Sequence, residues 1–353
     1  MPASCVPSWP MCWACHWSGC SGCRSPMQPC CPSGVAMKDP RPWCWNQSMD
    51  KTEMKKQILK TAALLSFLIM GYTQAAVLTD VRGVDLRMDR PPQRIISLAP
   101  HLTELLFSLG AGRRVVGTIE HSDFPEAAKS IPRVGDASRI DIERILSLRA
   151  DLVVAWQSGN SDADIRKLER LGMPVYVTEP RTLSDVAALL RGLGRLTGRQ
   201  VKARELASEY LERLRAMEQK YQNARPVTVF YQIWQQPLMT ISGRHIISDA
   251  IRVCGGRNVF ADLEAIAPAV DLEAVVAARP EVIIANSASD GGAKALQAFW
   301  AEWPSLTAVA RGQIHAMPSS TMARPSLRIM EGVETLCRIL EGARGTGGAA
   351  SPN

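Results

Sequence analysis

The sequence predicts an α/β protein of two similar lobes, each built on a mostly parallel sheet, joined by one long connector helix. Three observations lead there. Residues 140–156 (IDIERILSLRADLVVAW) return 130 positions later as 270–286 (VDLEAVVAARPEVIIAN), with Asp141/Asp271, Glu143/Glu273, Arg149/Arg279 and Ala155/Ala285 identical. Short apolar runs alternate with amphipathic runs on both sides of residues 199–225. Residues 200–222 carry Leu206, Tyr210, Leu214, Met217 and Tyr221 at spacings of three or four, which is one helix of about 34 Å. A repeat spaced this widely is a duplicated half-domain rather than a solenoid unit of about 20 to 50 residues.

Each element follows from its own residues. Residues 77–93 are a lead-in hairpin or extended segment, and 94–98 (RIISL) the first strand. A helix over 102–109 ends at Gly110. Strand 115–119, helix 142–148, strand 152–156, helix 163–171 and strand 175–178 follow. Short buried strands alternating with helices make a parallel sheet covered on both faces. Thr182 and Asp185 form a capping box that opens a helix to about Thr197. Pro226 ends the connector, and the second lobe brings strand 227–233, helix 247–253 running into Cys254-Gly255-Gly256, and the second copy of the repeat. Helix 296–303, strand 314–317 and helix 326–340 complete it. The domains are therefore an N-terminal lobe 94–198, a connector 199–225 and a C-terminal lobe 226–341. Residues 342–353 lack apolar anchors and are read as a disordered tail.

The first 75 residues belong to no lobe. Residues 1–53 hold eight of the ten cysteines and five of the nine tryptophans without apolar periodicity. Residues 54–75 have a basic start, a short apolar centre and a small-residue end, the pattern of a secretory signal peptide cleaved after Ala75 or Ala76. Export machinery reads a nascent amino terminus, so translation is expected to start at Met54 or Met49, and 1–53 to be upstream sequence assigned in error. The other reading of that segment is a zinc module using Cys12, Cys15, Cys20 and Cys23, but its pairs lie closer together than ribbon spacing allows. Removing residues 1–75 leaves 34 Lys and Arg against 31 Asp and Glu, so the net charge falls from +7 to +3. The basic residues are dispersed over helix faces, which leaves no footprint for nucleic acid.

The stretches RIISLAPHLTELLFSLGAG (94–112), HSDFP (121–125), 140–156, VFYQIWQQPLMTISG (229–243), RVCGGRNVF (252–260) and RPSLRIMEGVETLC (324–337) carry a resemblance. The chain resembles the periplasmic cobalamin-binding proteins of ABC importers, whose lobes are joined by a single backbone helix. The resemblance implies a periplasmic monomer that captures cobalamin between its lobes. Its other partners are the ABC permease and ATPase at the inner membrane, and it has no cofactor of its own. It implies ligand contact from His121, Trp156, Trp234 and Arg324, and a disulfide between Cys254 and Cys337. Where the best-known member has tryptophan, this chain has Ala137 and Ala267, and His121 replaces a tyrosine. Haem and ferric-siderophore carriers share the fold and are the alternative ligand classes.

The candidate residues carry competing readings. Trp156 is a stacking wall for a large planar ligand or a core tryptophan. His121 contacts the ligand's side chains or ligates its metal, although most loop histidines do neither. Pro100 and His101 head the first helix, where backbone N–H groups face the cleft; a capping or solvated histidine is the bland reading. His245 and His315 are read as structural. Asp162 and Asp290 lie in matching loops of the two lobes, and the resemblance implies that such acidic residues dock on the permease, with Asp164 competing with Asp162 and solvated loop aspartates as the alternative. An α/β enzyme is the remote alternative. The sequence has no G-x-S-x-G elbow, Gly-rich phosphate loop or H-E-x-x-H to support it.

Overall fold

In the computed structural model, residues 76–287 and 292–345 are described. The chain opens with a hairpin of β1 (Ala76–Thr79) and β2 (Asp85–Met88). Its turn is closed by the Asp80 carboxylate, which accepts from the backbone N–H groups of Arg82 and Val84, while Gly83 supplies the left-handed residue at φ +80°.

The first lobe runs through β3 (Ile95–Ser97), α1 (Pro100–Ser108), β4 (Val115–Thr118), α2 (Ile142–Ser147), β5 (Leu152–Trp156), α3 (Asp162–Arg170) and β6 (Val175–Thr178). The sheet order is β4-β3-β5-β6, all parallel. Its inner strands are buried on both faces, which is why they read as continuous apolar runs. Next, α4 (Leu183–Thr197) starts at the expected Thr182–Asp185 capping box and stops at Gly198, which takes the left-handed conformation at φ +69°. The connector α5 (Gln200–Tyr221) leads into the second lobe.

That lobe comprises β7 (Val227–Gln232), α6 (Ile246–Val253), β8 (Gly256–Asn258), α7 (Leu272–Ala278), β9 (Val282–Ser287), α8 (Gly292–Trp300), α9 (Thr307–Ala310), β10 (Ile314–Pro318), α10 (Ser319–Met322) and α11 (Ile329–Gly345). Its order, β8-β7-β9-β10, again all parallel, reproduces the first sheet strand for strand. The duplication therefore extends beyond the 17-residue repeat to the whole sheet.

Several boundaries differ from the sequence reading for identifiable reasons. Gly-Arg-Asn at β8 has no strand-like pattern; backbone pairing with β7 holds it, and Asn258 anchors its end by donating to the Ile241 carbonyl and the Ser248 hydroxyl. Helix α8 begins at Gly292 and ends at Trp300, not 296–303. The last helix starts at Ile329, because residues 324–328 are a loop bonded to the first lobe. It continues to Gly345, so 342–345 of the expected tail are helical. Arg344 secures that end by donating to the carbonyls of Arg225, Cys254 and Gly255. Residues 346–353, the expected signal peptide and the upstream segment lie outside the described residues.

The core has three parts. One apolar cluster runs from Leu105 and Val154 in the first lobe through Leu190 and Ala207 to Val229 and Leu336 in the second. Two smaller clusters cover the opposite sheet faces, around Ile96, Ile145 and Val153 in one lobe and Phe230, Ile283 and Trp300 in the other. Thus α4 and α5 are the shared inner layer of both lobes. They touch so closely that a Cβ on Gly194 would collide with Ala203. The amino end of α4 also reaches the second lobe, where Asp249 of α6 accepts from the Leu183 N–H at 2.8 Å. Burial along α4 and α5 resists a wide swing of one lobe against the other. Cys254 and Cys337 form a buried disulfide that ties α6 to α11 across 83 residues. Among the described residues, no helix is long and apolar enough to cross a membrane.

Candidate functional site

The lobes face each other near the carboxyl ends of their strands, where open α/β sheets hold ligands. A small gap between Trp156 and Glu179 on one side and His245 and Pro325 on the other has about 20 Å³, room for about one water. The strand ends of the second lobe form a recess of about 730 Å³, the size of a small-molecule site. Another depression of about 530 Å³ lies against α5 and α6, remote from the strand ends and lined largely by long polar side chains such as Arg215 and Arg252.

The wall of the first lobe is built on β5 and α1. Trp156 closes β5, and its indole lies over Gly159, where any Cβ would collide with the ring. The indole is half-buried against the edge of the shared core, so it is both a core residue and a cleft residue. Its Nε1 is buried without a partner. The ring of His101 meets it edge-on, centroids 5.2 Å apart and planes at 88°. His101 follows Pro100 in the first turn of α1, is 1% exposed, and its Nε2 also lacks a partner. Burial, and secondly the Arg324 charge, lower its pKa to about 3. The imidazole is therefore neutral at pH 7 and is no solvated cap.

The second lobe presents a different surface. Gln232 ends β7 and Asn286 stands near the end of β9, both lining the recess. Beneath them lie two fully buried aromatic residues: Trp300 Nε1 donates to Gln232 Oε1 at 2.9 Å, and the Tyr231 hydroxyl to Asn286 Oδ1 at 2.6 Å. Burial pushes the Tyr231 phenol well above its usual range, so its proton stays on the oxygen at neutral pH. Trp234, also on the recess, is 63% exposed, and its indole donates to the Gln236 carbonyl.

A charged cluster bridges the lobes. Glu104 of α1, 3% exposed, accepts from the Ser326 hydroxyl at 2.6 Å and from Arg324 Nη1 at 3.2 Å, with Arg328 Nη1 at 3.6 Å. Arg324 Nη1 also lies 2.6 Å from Asp123, and the Arg328 guanidinium stacks on Phe124. The hydrogen bond from Arg324 holds the Asp123 carboxyl below its usual range. Burial alone would lower the Arg324 pKa, but its bonds to Asp123 and Glu104 outweigh that and raise it. Arg324, expected at the ligand, is thus committed to carboxylates of the opposite lobe. Sequence reasoning missed Glu104, Ser326 and Arg328. The available signal was a lone carboxylate in the apolar helix LTELLFSL.

The remaining candidates lie further out. His121 is exposed in the loop before Asp123, with a left-handed backbone at φ +63°. Asp162 is exposed in the first turn of α3, 3.7 Å from Arg166, while Ser161 caps that helix by accepting from the Asp164 N–H. Asp290 lies outside the described residues. His245 caps α6 through Nδ1, and burial lowers its pKa to about 4, yet it also borders the interlobe gap. His315 pairs with Gln313. Among the described residues, no group of three or more His, Cys, Asp or Glu converges to hold a metal.

The model of the periplasmic binding protein family matches residues 95–321. The vitamin B12-binding protein of Vibrio campbellii is 34% identical over 258 residues, covering 72% of this chain and 91% of that protein. The vitamin B12-binding protein of Yersinia pestis is 32% identical over 246 residues, covering 70% and 85%. Among solved structures, the periplasmic vitamin B12 binding protein BtuF of Vibrio cholerae superposes with a TM-score of 0.67 at 34% identity, over 72% of this chain and 98% of that one. The periplasmic heme-binding protein RhuT from Roseiflexus sp. RS-1 reaches 0.64 at 22% identity, over 71% and 99%. At that identity it speaks for the fold alone.

Proposed function

Because this chain belongs to the periplasmic binding protein family, we propose that it captures cobalamin between its two lobes and delivers it to an ABC importer. The observation that carries this reading is 34% identity over 91% of the length of a vitamin B12-binding protein. The cleft supports it: an aromatic wall at Trp156, a neutral His101 beside it and a recess of mixed polar and apolar lining at the strand ends of the second lobe suit a bulky ligand with flat apolar faces and polar edges. With α4 and α5 buried in both lobes, binding should cause only a small closure and depend mainly on a preformed wall.

The protein acts as a periplasmic monomer, exported through the signal at 54–75, and meets the permease and its ATPase at the inner membrane. Asp162 and Asp290 serve as docking charges, one from each lobe. Such rim charges govern orientation and association more than affinity. Charge reversal at both positions should slow transport in reconstituted vesicles and leave cobalamin affinity intact; unchanged transport removes the docking role. Amino-terminal sequencing of the exported protein should begin at Ala76 or Val77.

The binding reading is tested by titration calorimetry and by the visible spectrum after desalting. One cyanocobalamin per chain and a retained red colour are expected. A colourless protein that instead holds haem or a ferric siderophore tightly transfers the assignment to those ligands.

A further inference from the structure

The amides of Gln232 and Asn286 have an orientation that the surrounding side chains leave no freedom to choose. An indole N–H can only donate, so the buried Trp300 Nε1 at 2.9 Å obliges Gln232 to turn Oε1 inward. Its NH2 group must then point the other way. For Asn286 the same follows from the buried Tyr231 hydroxyl. That proton needs an acceptor, and among the described residues Asn286 Oδ1 at 2.6 Å is the one it has. The register pairs Gln232 with Ala285, so successive side chains place Gln232 and Asn286 on opposite faces of the sheet end. Both nonetheless line the 730 Å³ recess. Neither NH2 group is matched to an acceptor among the described residues.

Resting on the cobalamin reading, we infer that Gln232 and Asn286 are specificity residues, a pair of pre-oriented amide donors that receive acceptor oxygens on the edge of the ligand. The donors are neutral, and their alignment is set before binding, so no rotamer entropy is lost in forming the contact. The oxygens have two possible sources on a cobalamin: the carbonyls of its peripheral carboxamides, or the phosphate of its nucleotide arm.

Isosteric variants separate this role from a structural one. Gln232→Glu and Asn286→Asp keep the oxygen that accepts from Trp300 or Tyr231, and replace the outward NH2 by a second acceptor oxygen. Both should therefore fold with melting temperatures close to wild type. Each should bind cyanocobalamin at least about tenfold more weakly, since two facing acceptors cannot share a proton. The same measurement with dicyanocobinamide, which lacks the nucleotide but keeps the carboxamides, identifies the source. An equal loss assigns the contact to carboxamide carbonyls, and a loss confined to cyanocobalamin assigns it to the phosphate. If the wild type binds cyanocobalamin and both variants match its affinity for both corrinoids, the inference is overturned while the cobalamin reading stands. If the wild type retains neither corrinoid, the reading fails and takes this inference with it.

Discussion

The two lobes fill the same place at their strand ends in opposite ways. By register, Ile95 pairs with Leu152 as Val229 pairs with Val282, so Ser97 corresponds to Tyr231, Leu98 to Gln232 and Trp156 to Asn286. The first lobe combines a small residue with a large one, Ser97 with Trp156. The second reverses the order, Tyr231 with Asn286. Close-packed interiors tolerate such exchanges when total volume is kept. The exchange changes what the cleft meets: an indole on one side, side-chain amides on the other. It continues behind the sheets, where the outer core of the first lobe is aliphatic and that of the second is built on Phe230, Phe299, Trp300 and Trp303. Those buried aromatics brace the recess rather than line it, because Trp300 positions Gln232. A duplicated scaffold thus becomes two unlike walls by moving aromatic volume between core and cleft.

Removing the Cys254–Cys337 bridge should have the largest effect and touch the second lobe alone, since the first has no counterpart among the described residues. A Cys254→Ala/Cys337→Ala variant is expected to lose about 2 to 4 kcal/mol of stability. Hydrogen exchange should place the loosening in α6 and α11. Uniform loosening of both lobes would show that the shared core couples them more tightly than the bridge does.

Acid is expected to act first through His101, with the buried His245, lowered to about 4, adding in the same direction. The folded pKa of His101, about 3, lies below the value near 6.5 of an unfolded histidine, so the unfolded chain binds more protons between them. Stability is therefore complete above about pH 6.5 and lost as pH falls toward 3, by about 3 kcal/mol near pH 4 from this residue. Denaturant titrations at neutral and acid pH check it. A His101→Gln variant should show a shallower loss, and a loss as steep as wild type would argue against His101 as the sensitive group.

The two cleft tryptophans should differ. Trp156→Ala is expected to weaken cobalamin binding by about 1 to 3 kcal/mol, the contribution of a packed aromatic anchor. Trp234, exposed at 63%, should contribute less than about 1 kcal/mol. Calorimetry on both variants decides it, and equal losses would mean that Trp234 folds over the ligand on binding.

The smallest effects test where the lobes agree. Asp141 and Asp271 cap α2 and α7 by accepting from the backbone N–H groups of Arg144 and Ala274. Each Asp→Ala change should cost about 1 kcal/mol. A clear difference between the two in thermal melts would mean that the lobes no longer use the repeat alike.

Two of the four identities in the repeat are backbone signals. The aspartates are helix caps, and Arg149 and Arg279 both take left-handed conformations, at φ +49° and +44°, where each helix gives way to the following strand. These signals act within a few residues, which is why the repeat, the capping box and the strands 152–156 and 175–178 could be read from the chain. The fold class could be read for the same reason. Apolar runs buried on both faces and helices of period 3.6 leave few ways to pack other than parallel sheets with helical cover.

The cleft required the tertiary structure. Glu104 and Arg324 are 220 residues apart, and nothing local to either names the other. Gln232 is one polar residue at a strand end until Trp300 is known to lie beneath it, and His101 is an ordinary helix-start histidine until Trp156 and the core remove its water. Strand, helix and cap follow from near neighbours, so the sequence alone determined the two lobes, their connector and their likeness. The direction in which each polar group points, and whether water reaches it, depends on partners from the other lobe or the far side of a sheet, and only the folded chain decided that.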